Sequence, residues 1–253
     1  MQAHVIQLGY DDTETIDQRT TRVAQLVRAQ AGADLVLLPE LWPNGGFAYD
    51  TWEDTAQSLD GDVVSALRAA TRDLGAAVHM GSFVERDEAG RLFNTSVLLD
   101  RDGSILTTYR KVHLFGFGEG EPKLMTAGDG PVVHDRFGLA TCYDLRFPEL
   151  FRALLDRGAE VVLLPSAWPA KRVSHWRLLA QARAVENQLY VVACNTGGSH
   201  AGVPMGGHSM VVDPWGTVLA ETGEGEESVS VDIDLALVVK TRADFPVLGD
   251  RRL

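Results

Sequence analysis

Cys142 is the residue whose sequence context most clearly suggests chemistry. It lies in the run ATCYDLRFPEL, residues 140–150, between a strand-like segment and a helix that Pro148 could begin. A cysteine at such a junction can face a pocket, where backbone N–H groups and nearby cations would lower the pKa of its thiol. Free cysteines are more often buried and unreactive. Catalysis by Cys142 therefore depends on which other side chains reach it.

A thiol that attacks a carbonyl or nitrile carbon needs a base, a group that stabilises the oxyanion, and a proton for the leaving nitrogen. Glu40 is the candidate base, because it follows a short apolar strand predicted over 35–38. Lys111, at the end of another predicted strand, is the candidate cation. Glu119 and Glu121 are two further candidate acids in a glycine-rich stretch. Glutamate and lysine are mostly exposed in proteins, so each could also be an ordinary surface charge.

Strand-like and helix-like segments alternate along the whole chain. Helices are predicted at about 15–31, 62–74, after Pro148 and at 174–188. Asp60 is the predicted N-cap of the second helix. Turn signals at 101–104 and 214–216 predict hairpins. Hairpins combined with βα units indicate an α/β protein with mixed sheets rather than one purely parallel sheet.

The predicted strands also bring the candidate residues together. Glu40, Cys142 and Ser166 each follow the carboxyl end of a predicted strand, which is where ligands collect in open α/β sheets. No stretch rich in Pro, Gly and Ser divides the chain, so we expect a single domain over residues 1–253.

Composition excludes several classes of protein. The formal net charge of -12 argues against a nucleic-acid binder, which usually has a basic face. Two cysteines far apart do not form a disulfide framework, and Cys194 lies in a valine-rich strand typical of a core. The chain shows neither a signal-peptide pattern nor an apolar run long enough to span a bilayer. We therefore expect a cytoplasmic protein that does not bind membranes.

Taken together, the motifs resemble those of the nitrilase (carbon–nitrogen hydrolase) superfamily. In chain order they are PE at 39–40, YRKVHLF at 109–115, CYDLRFPE at 142–149, Trp176, ARAVEN at 182–187, NTG at 195–197 and GHS at 207–209. Each motif alone is moderately specific, but the ordered set covers nearly the whole chain. The sequence looks most similar to the branch that contains ω-amidase and deaminated-glutathione amidase.

The resemblance implies a fold and a set of roles. The fold would be an αββα sandwich of two mixed sheets. Glu40 would be the general base, Cys142 the nucleophile, and Lys111 with the backbone N–H of Tyr143 the oxyanion hole. The second family glutamate precedes a glycine by seven residues, which favours Glu121 over Glu119 because Gly128 stands at that distance. No metal or cofactor is implied.

Assembly as a homodimer is also implied by the resemblance. The helix after Cys142 could contribute Phe151, Leu154 and Leu155 to the contact between subunits, although these residues could equally belong to the core.

The loops that follow the strands should line the substrate pocket. The predicted lining comprises Trp42, Phe47, Phe115, Tyr143, Arg146, Phe147, Ala167, Trp168 and Trp176. Lys171, Arg172 and His175 lie in the loop after the strand that ends at Pro165, and with Arg146 they could favour a carboxylate-bearing substrate. Arg146 could instead pair with an acid such as Glu149 or Glu186.

The sequence thus predicts a hydrolase that cleaves a small aliphatic amide, such as an α-keto acid amide, to a carboxylic acid and ammonia. An N-carbamoyl hydrolase or a nitrilase on the same three residues is an alternative. A non-catalytic partner protein that kept the scaffold is a second alternative, of another class.

Overall fold

The computed structural model describes residues 1–252. Its strands are β1 (Gln2–Gln7), β2 (Leu35–Leu37), β3 (Ala77–Arg86), β4 (Leu92–Leu99), β5 (Ile105–Arg110), β6 (Val132–His134), β7 (Phe137–Leu139), β8 (Val161–Pro165), β9 (Tyr190–Cys194), β10 (Ser199–His200), β11 (Val203–Pro204), β12 (Met210–Val212), β13 (Val218–Glu221) and β14 (Glu227–Asp232). Its α-helices are α1 (Ile16–Arg28), α2 (Trp52–Thr55), α3 (Asp62–Leu74), α4 (Glu121–Leu124), α5 (Pro148–Asp156), α6 (Val173–Asn187) and α7 (Ala236–Asp244).

Two six-stranded mixed sheets form the centre of the molecule. The first has the order β14-β1-β2-β3-β4-β5 and the second the order β13-β12-β9-β8-β7-β6. In each sheet three neighbouring strands are parallel, β1-β2-β3 and β7-β8-β9, and the flanking strands are antiparallel. The parallel strands therefore deliver their carboxyl ends, and the loops that follow, to one edge of each sheet.

Alternating residues of the strands build three apolar layers. On β2, Leu35 and Leu37 pack between the two sheets, whereas Val36 faces α1 and α3. On β8, Val161 likewise packs between the sheets and Val162 faces α5 and α6. The order of layers is thus helices, sheet, sheet, helices, and the predicted α/β sandwich with two mixed sheets is confirmed. The apolar layer between the sheets is built by residues of both.

Local signals account for most helix boundaries. Thr15 caps α1 in a capping box with Gln18, and α5 begins at Pro148 as predicted. The prediction of Asp60 as a cap was wrong: Gly61 is the N-cap of α3, and the side chain of Gln57 accepts the bond from the Val63 N–H instead. The N–H of Val63 is bonded by a side chain six residues earlier in the chain, which a local capping pattern does not predict.

Two kinds of feature are absent from residues 1–252. No helix is long and apolar enough to cross a membrane. Nor does any group of three or more His, Cys, Asp and Glu side chains have an arrangement that could hold a metal ion.

Candidate active site

Four loop residues that are distant in sequence line one cavity. Glu40 follows β2, Lys111 follows β5, Glu121 begins α4, and Cys142 follows β7. The cavity has an empty volume of about 250 Å³, and its remaining lining is formed by Leu41, Gly46, Phe47, Tyr49, Phe115 and Ala167. We call this space the inner cavity. The structure therefore brings together the side chains that the sequence singled out.

The Lys111 ammonium is the centre of a buried ionic cluster. Its Nζ lies 2.7 Å from Glu40 Oε1 and 2.8 Å from Glu121 Oε2. All three side chains are at most 4% exposed. The Ala167 N–H donates to Glu40 Oε2 at 2.8 Å, and the Phe115 N–H donates to Glu121 Oε2 at 2.6 Å. Both carboxylates are thus fixed by backbone donors as well as by the ammonium.

Burial and pairing act in opposite directions in this cluster. Burial alone would lower the pKa of Lys111, but the charges of Glu121 and Glu40 outweigh it and raise that pKa well above its ordinary value. Burial also raises the pKa of Glu121, against the lowering effect of Lys111. A permanently charged ammonium between two carboxyl groups is suited to stabilising an oxyanion.

Cys142 sits on a strained turn beside Glu40. Its φ is 46°, in the left-handed region that side chains other than glycine rarely adopt. The residue is 8% exposed, and its thiol lines the same cavity as the Glu40 carboxylate. Burial and then the Glu40 charge raise the thiol's pKa well above its ordinary value, although Lys111 acts against them. The expectation of a lowered pKa was wrong, since burial outweighs the nearby cation and N–H groups.

Asp144 holds the Cys142 turn against the strand that carries Lys111. It is fully buried, and its carboxylate accepts bonds from the Thr141 N–H at 2.8 Å, the Tyr109 hydroxyl at 2.7 Å and the His113 N–H at 3.1 Å. Tyr109 and His113 lie two residues before and after Lys111. The nucleophile turn and the Lys111 segment are therefore tied to a common anchor.

Glu121, and not Glu119, faces Lys111. The loop before it folds tightly: a Cβ on Gly116 would lie 1.7 Å from the Glu119 carbonyl oxygen, so this position requires glycine. The Glu121 N–H donates to the Phe115 carbonyl oxygen at 3.2 Å, which turns the side chain inward. Glu119 remains exposed and pairs with Lys123.

A second cavity adjoins the inner one at Cys142. It also has an empty volume of about 250 Å³, and we call it the outer cavity. Its lining comprises Phe47, Phe115, Cys142, Tyr143, Arg146, Ala167, Trp168, Pro169 and Arg172. Both cavities are small and are lined mainly by bulky side chains, so the pair is suited to a small substrate.

Two guanidinium groups face the outer cavity. Arg146 lies over the ring of Trp168, with 4.7 Å between its Cζ and the ring centroid, and Arg172 lies 5.5 Å from the ring centroid of Phe115. Within residues 1–252, neither guanidinium is within ion-pair distance of a carboxylate. Glu186, one alternative partner proposed for Arg146, pairs with Arg183 instead.

Five other predicted residues line neither cavity. Trp42 is fully buried in the core, where its indole N–H donates to the Met80 carbonyl oxygen at 2.8 Å, and Phe147 stacks on the ring of His113. Trp176 was wrongly predicted to bind substrate: it is fully buried in the core, and its indole N–H donates to the His208 carbonyl oxygen at 2.8 Å. Lys171 and His175 are exposed, although His175 Nδ1 lies 3.3 Å from an Arg146 nitrogen. Of the basic residues in that loop, only Arg172 lines the outer cavity.

Sequence reasoning missed Asn94 and the anchoring role of Asp144. Asn94 lies on β4, is fully buried, and donates to both Glu40 and Glu121. Its one signal in the sequence was an asparagine within an otherwise strand-like run, where that residue is uncommon. Asp144 was visible only as part of the motif around Cys142.

Comparison with known proteins agrees with this architecture. The family model described as carbon–nitrogen hydrolase matches residues 2–243. The 2-oxoglutaramate amidase of Paenarthrobacter nicotinovorans is 43% identical over 258 residues, which cover 98% of this chain and 88% of that protein.

Two solved structures are similar over nearly their whole length. XC1258 from Xanthomonas campestris, a CN-hydrolase superfamily protein, has a TM-score of 0.91 at 31% identity, with 100% of this chain and 97% of that chain covered. A mutant of the amidase from Nesterenkonia sp. AN1, which carries an acetamide moiety covalently added at its active-site cysteine, has a TM-score of 0.84 at 29% identity, with 98% and 97% covered. The chain therefore belongs to the carbon–nitrogen hydrolase family.

Proposed function

We propose that this protein hydrolyses the terminal amide of a small carboxylate-bearing amide, of the 2-oxoglutaramate class, through a thioester on Cys142. The observation that carries the proposal is the convergence of Glu40, Lys111, Glu121 and Cys142 on one cavity. The name of the 43% identical relative, 2-oxoglutaramate amidase, supports the choice of substrate class.

Activation of the thiol falls to Glu40. Because the pKa of Cys142 is raised, little thiolate exists at neutral pH before substrate binds. The Glu40 carboxylate, which lines the same cavity as the thiol, removes the thiol proton as the sulfur attacks the amide carbon. Two of the three Lys111 ammonium protons are committed to Glu40 and Glu121, so the third is left for the oxyanion. The N–H of Tyr143 is the second proposed oxyanion donor.

Release of ammonia and of the acid completes the cycle. Glu40 gives its proton to the amide nitrogen, the C–N bond breaks, and ammonia leaves a thioester on Cys142. A water molecule then loses a proton to Glu40 and adds to the thioester carbon. Collapse of this adduct frees the carboxylic acid, and the proton returns to the sulfur, so that one water is consumed for each ammonia released.

Recognition of a carboxylate is assigned to the outer cavity. Arg146 and Arg172 are half-buried there and have no carboxylate partner among the described residues. Partly buried cations are stabilised when an anion joins them, and a guanidinium can bind a carboxylate with two parallel hydrogen bonds. A short linear substrate with an amide at one end and a carboxylate at the other would span both cavities.

Ammonia release from a panel of substrates tests the proposal. We expect turnover of 2-oxoglutaramate, much slower turnover of its methyl ester, and none with the Cys142→Ala variant. Equal rates with acid and ester would remove the carboxylate assignment. Preferential turnover of N-carbamoyl amines or nitriles would contradict the amidase proposal, and turnover that persists in Cys142→Ala would contradict catalysis by Cys142.

We also propose that the protein is a homodimer, because apolar side chains are exposed along one continuous surface. Leu178 and Val185 lie on α6, and Trp215 stacks on Phe245 nearby. Val185 approaches Gly216, which joins the two pairs. Phe151 and Leu154, two of the predicted contact residues, are instead part of the core.

Light scattering measures this assembly. We expect a dimer mass for the wild-type chain and a monomer mass for Leu178→Glu, which places a charge on the exposed apolar surface. A monomer mass for the wild-type chain at all concentrations would contradict the proposal.

A further inference from the structure

We propose that Asn94 is a positioning residue that holds the Glu40 and Glu121 carboxylates apart without a proton shared between them. This inference rests on the active site assigned under the proposed function. This neutral side chain on β4 would stabilise the negative charge of the two carboxylates, which the single positive charge of Lys111 balances only in part.

The geometry of Asn94 is specific to the two glutamates. Its Nδ2 donates to Glu40 Oε1 at 2.8 Å and to Glu121 Oε1 at 2.7 Å. The two hydrogens of a planar amide point in fixed, divergent directions. One amide nitrogen therefore sets the spacing of both carboxylates.

The backbone places Asn94 beside Lys111. The Lys111 N–H donates to the Asn94 carbonyl oxygen at 2.9 Å, which continues the antiparallel pairing of β4 and β5. Paired residues of neighbouring strands present their side chains on the same face of a sheet. The amide and the ammonium consequently approach the same two carboxylates from adjacent strands.

The other end of the amide supports its orientation. Asn94 Oδ1 is buried and has no hydrogen-bond partner among the described residues. If the amide were flipped, Oδ1 would face two carboxylate oxygens, which could not donate a hydrogen bond to it. An unpaired buried acceptor costs stability, so the hydrogen bonds of Asn94 in this cluster come from its NH₂ group.

Charge balance shows why two neutral donors are needed. Two carboxylates face one ammonium, so the cluster carries an excess negative charge away from water. Carboxyl groups in that situation tend to take up a proton, and burial already raises the pKa of Glu121. A proton shared by the two glutamates would reduce the capacity of Glu40 to accept the one from Cys142. The two N–H groups of Asn94 oppose that uptake.

The test measures the rate at which iodoacetamide alkylates Cys142 as a function of pH, in a Cys194→Ala background so that one thiol is present. Asn94→Leu removes both donors at similar size. We expect the acid limb of its profile to move to higher pH by about one unit, the size of effect that hydrogen bonds to a carboxylate produce. Asn94→Asp adds a third carboxylate and should move the limb further.

Two further variants separate positioning from packing. Ser96→Ala removes another fully buried polar group of β4, whose hydroxyl donates a hydrogen bond to the Tyr109 carbonyl oxygen, and should leave the profile unchanged. In a Glu121→Gln background the second negative charge is gone, so Asn94→Leu should shift the limb much less. An equal shift in both backgrounds would overturn the proposal.

The Asn94→Asp profile and the steady-state kinetics of Asn94→Leu provide two further tests of the proposal. A profile for Asn94→Asp that matches the wild type would overturn the proposal even if the leucine variant fails to fold. Alkylation needs no substrate, so these results hold whether or not the proposed amide is turned over. With an active substrate, kcat should fall about 10–100-fold in Asn94→Leu while KM changes little, because a proton transfer is impaired and binding is not.

Discussion

The inner and outer cavities have similar volumes and share Cys142, but they differ in whether their charged side chains are paired within the protein. In the inner cavity Lys111, Glu40 and Glu121 are almost fully buried and satisfy one another. In the outer cavity Arg146 and Arg172 are half-buried against aromatic rings, without a carboxylate partner in the described chain.

This difference separates the chemistry from the recognition of substrate. A buried ion pair is tolerable only when its geometry is good and its remaining hydrogen bonds are made, so the inner cluster is assembled by folding itself. Half-buried cations keep some contact with water and need no internal partner. The inner cluster is thus already assembled in the free protein, whereas the proposed function has the outer cavity completed by the carboxylate of the substrate.

Removal of the nucleophile has the largest expected effect on the inner cavity. Cys142→Ala should reduce kcat by about 10⁴-fold or more, because loss of the attacking group abolishes covalent catalysis. The matched control is Cys194→Ala, which deletes the other cysteine, a core residue whose thiol donates to the Ile6 carbonyl oxygen. Ammonia release measures both, and comparable losses in the two variants would contradict the assignment.

Lys111→Met should impair both catalysis and stability. The expected loss in kcat is about 10²–10³-fold, as for removal of one oxyanion donor. Two buried carboxylates would lose their cation, which costs about 3–5 kcal/mol of unfolding free energy near neutral pH.

The pH dependence of that loss has a definite sign. A buried carboxyl group without its cation has a pKa above that of the unfolded chain, so the folded state binds the extra proton and its stability falls as pH rises. The deficit of Lys111→Met should therefore shrink from pH 7 towards pH 4, as urea unfolding would show. Lys123→Met is the control, since it removes an exposed lysine that pairs only with Glu119. A deficit independent of pH would contradict this account of the cluster.

The mixed α/β character and the candidates Glu40, Lys111 and Cys142 followed from local sequence patterns. The αββα layers and the choice of Glu121 over Glu119 came from the resemblance to the nitrilase superfamily. Apolar runs ended by Pro39 and Pro165 marked strands whose carboxyl ends meet, and that placed Glu40 near Cys142. Asn94 was missed because its contacts depend on the register between β4 and β5, which no local pattern encodes. The direction of the Cys142 pKa shift was wrong for a related reason: it depends on burial, a property of the whole fold.

The outer cavity was less predictable from sequence. Arg146, Arg172 and Trp168 line it as a group, but Trp176, four residues beyond Arg172, turns into the core on the first turns of α6. A loop that leads into a helix directs neighbouring side chains to different sides. Residue type alone could not tell which of these aromatic and basic residues face the substrate.

Arg172→Gln tests the outer cavity. Loss of a charged hydrogen-bonding partner should lower kcat/KM for a carboxylate-bearing amide by about 10–100-fold, mostly through KM. The same change should barely affect a neutral amide such as the methyl ester. Lys171→Gln, at an exposed neighbouring position, is the matched control. Equal losses for acid and ester would show that Arg172 supports the loop rather than the carboxylate.

Trp176→Phe has the smallest expected effect on activity and separates the core from the cavity. The variant loses the hydrogen bond to the His208 carbonyl oxygen, which should lower the unfolding free energy by about 1 kcal/mol. Turnover should stay within about threefold of the wild type, because the side chain lines neither cavity. A rise in KM specific to the carboxylate-bearing amide would instead indicate that Trp176 contacts the substrate.

The most direct test of covalent catalysis in the inner cavity is the mass of the intact protein, quenched with acid during turnover of 2-oxoglutaramate. The account predicts a fraction of the protein heavier by the mass of the substrate minus ammonia, with the adduct mapped to the peptide that contains Cys142 and absent from Cys142→Ala. Turnover that proceeds in Cys142→Ala, or an adduct carried by Cys194, would contradict it.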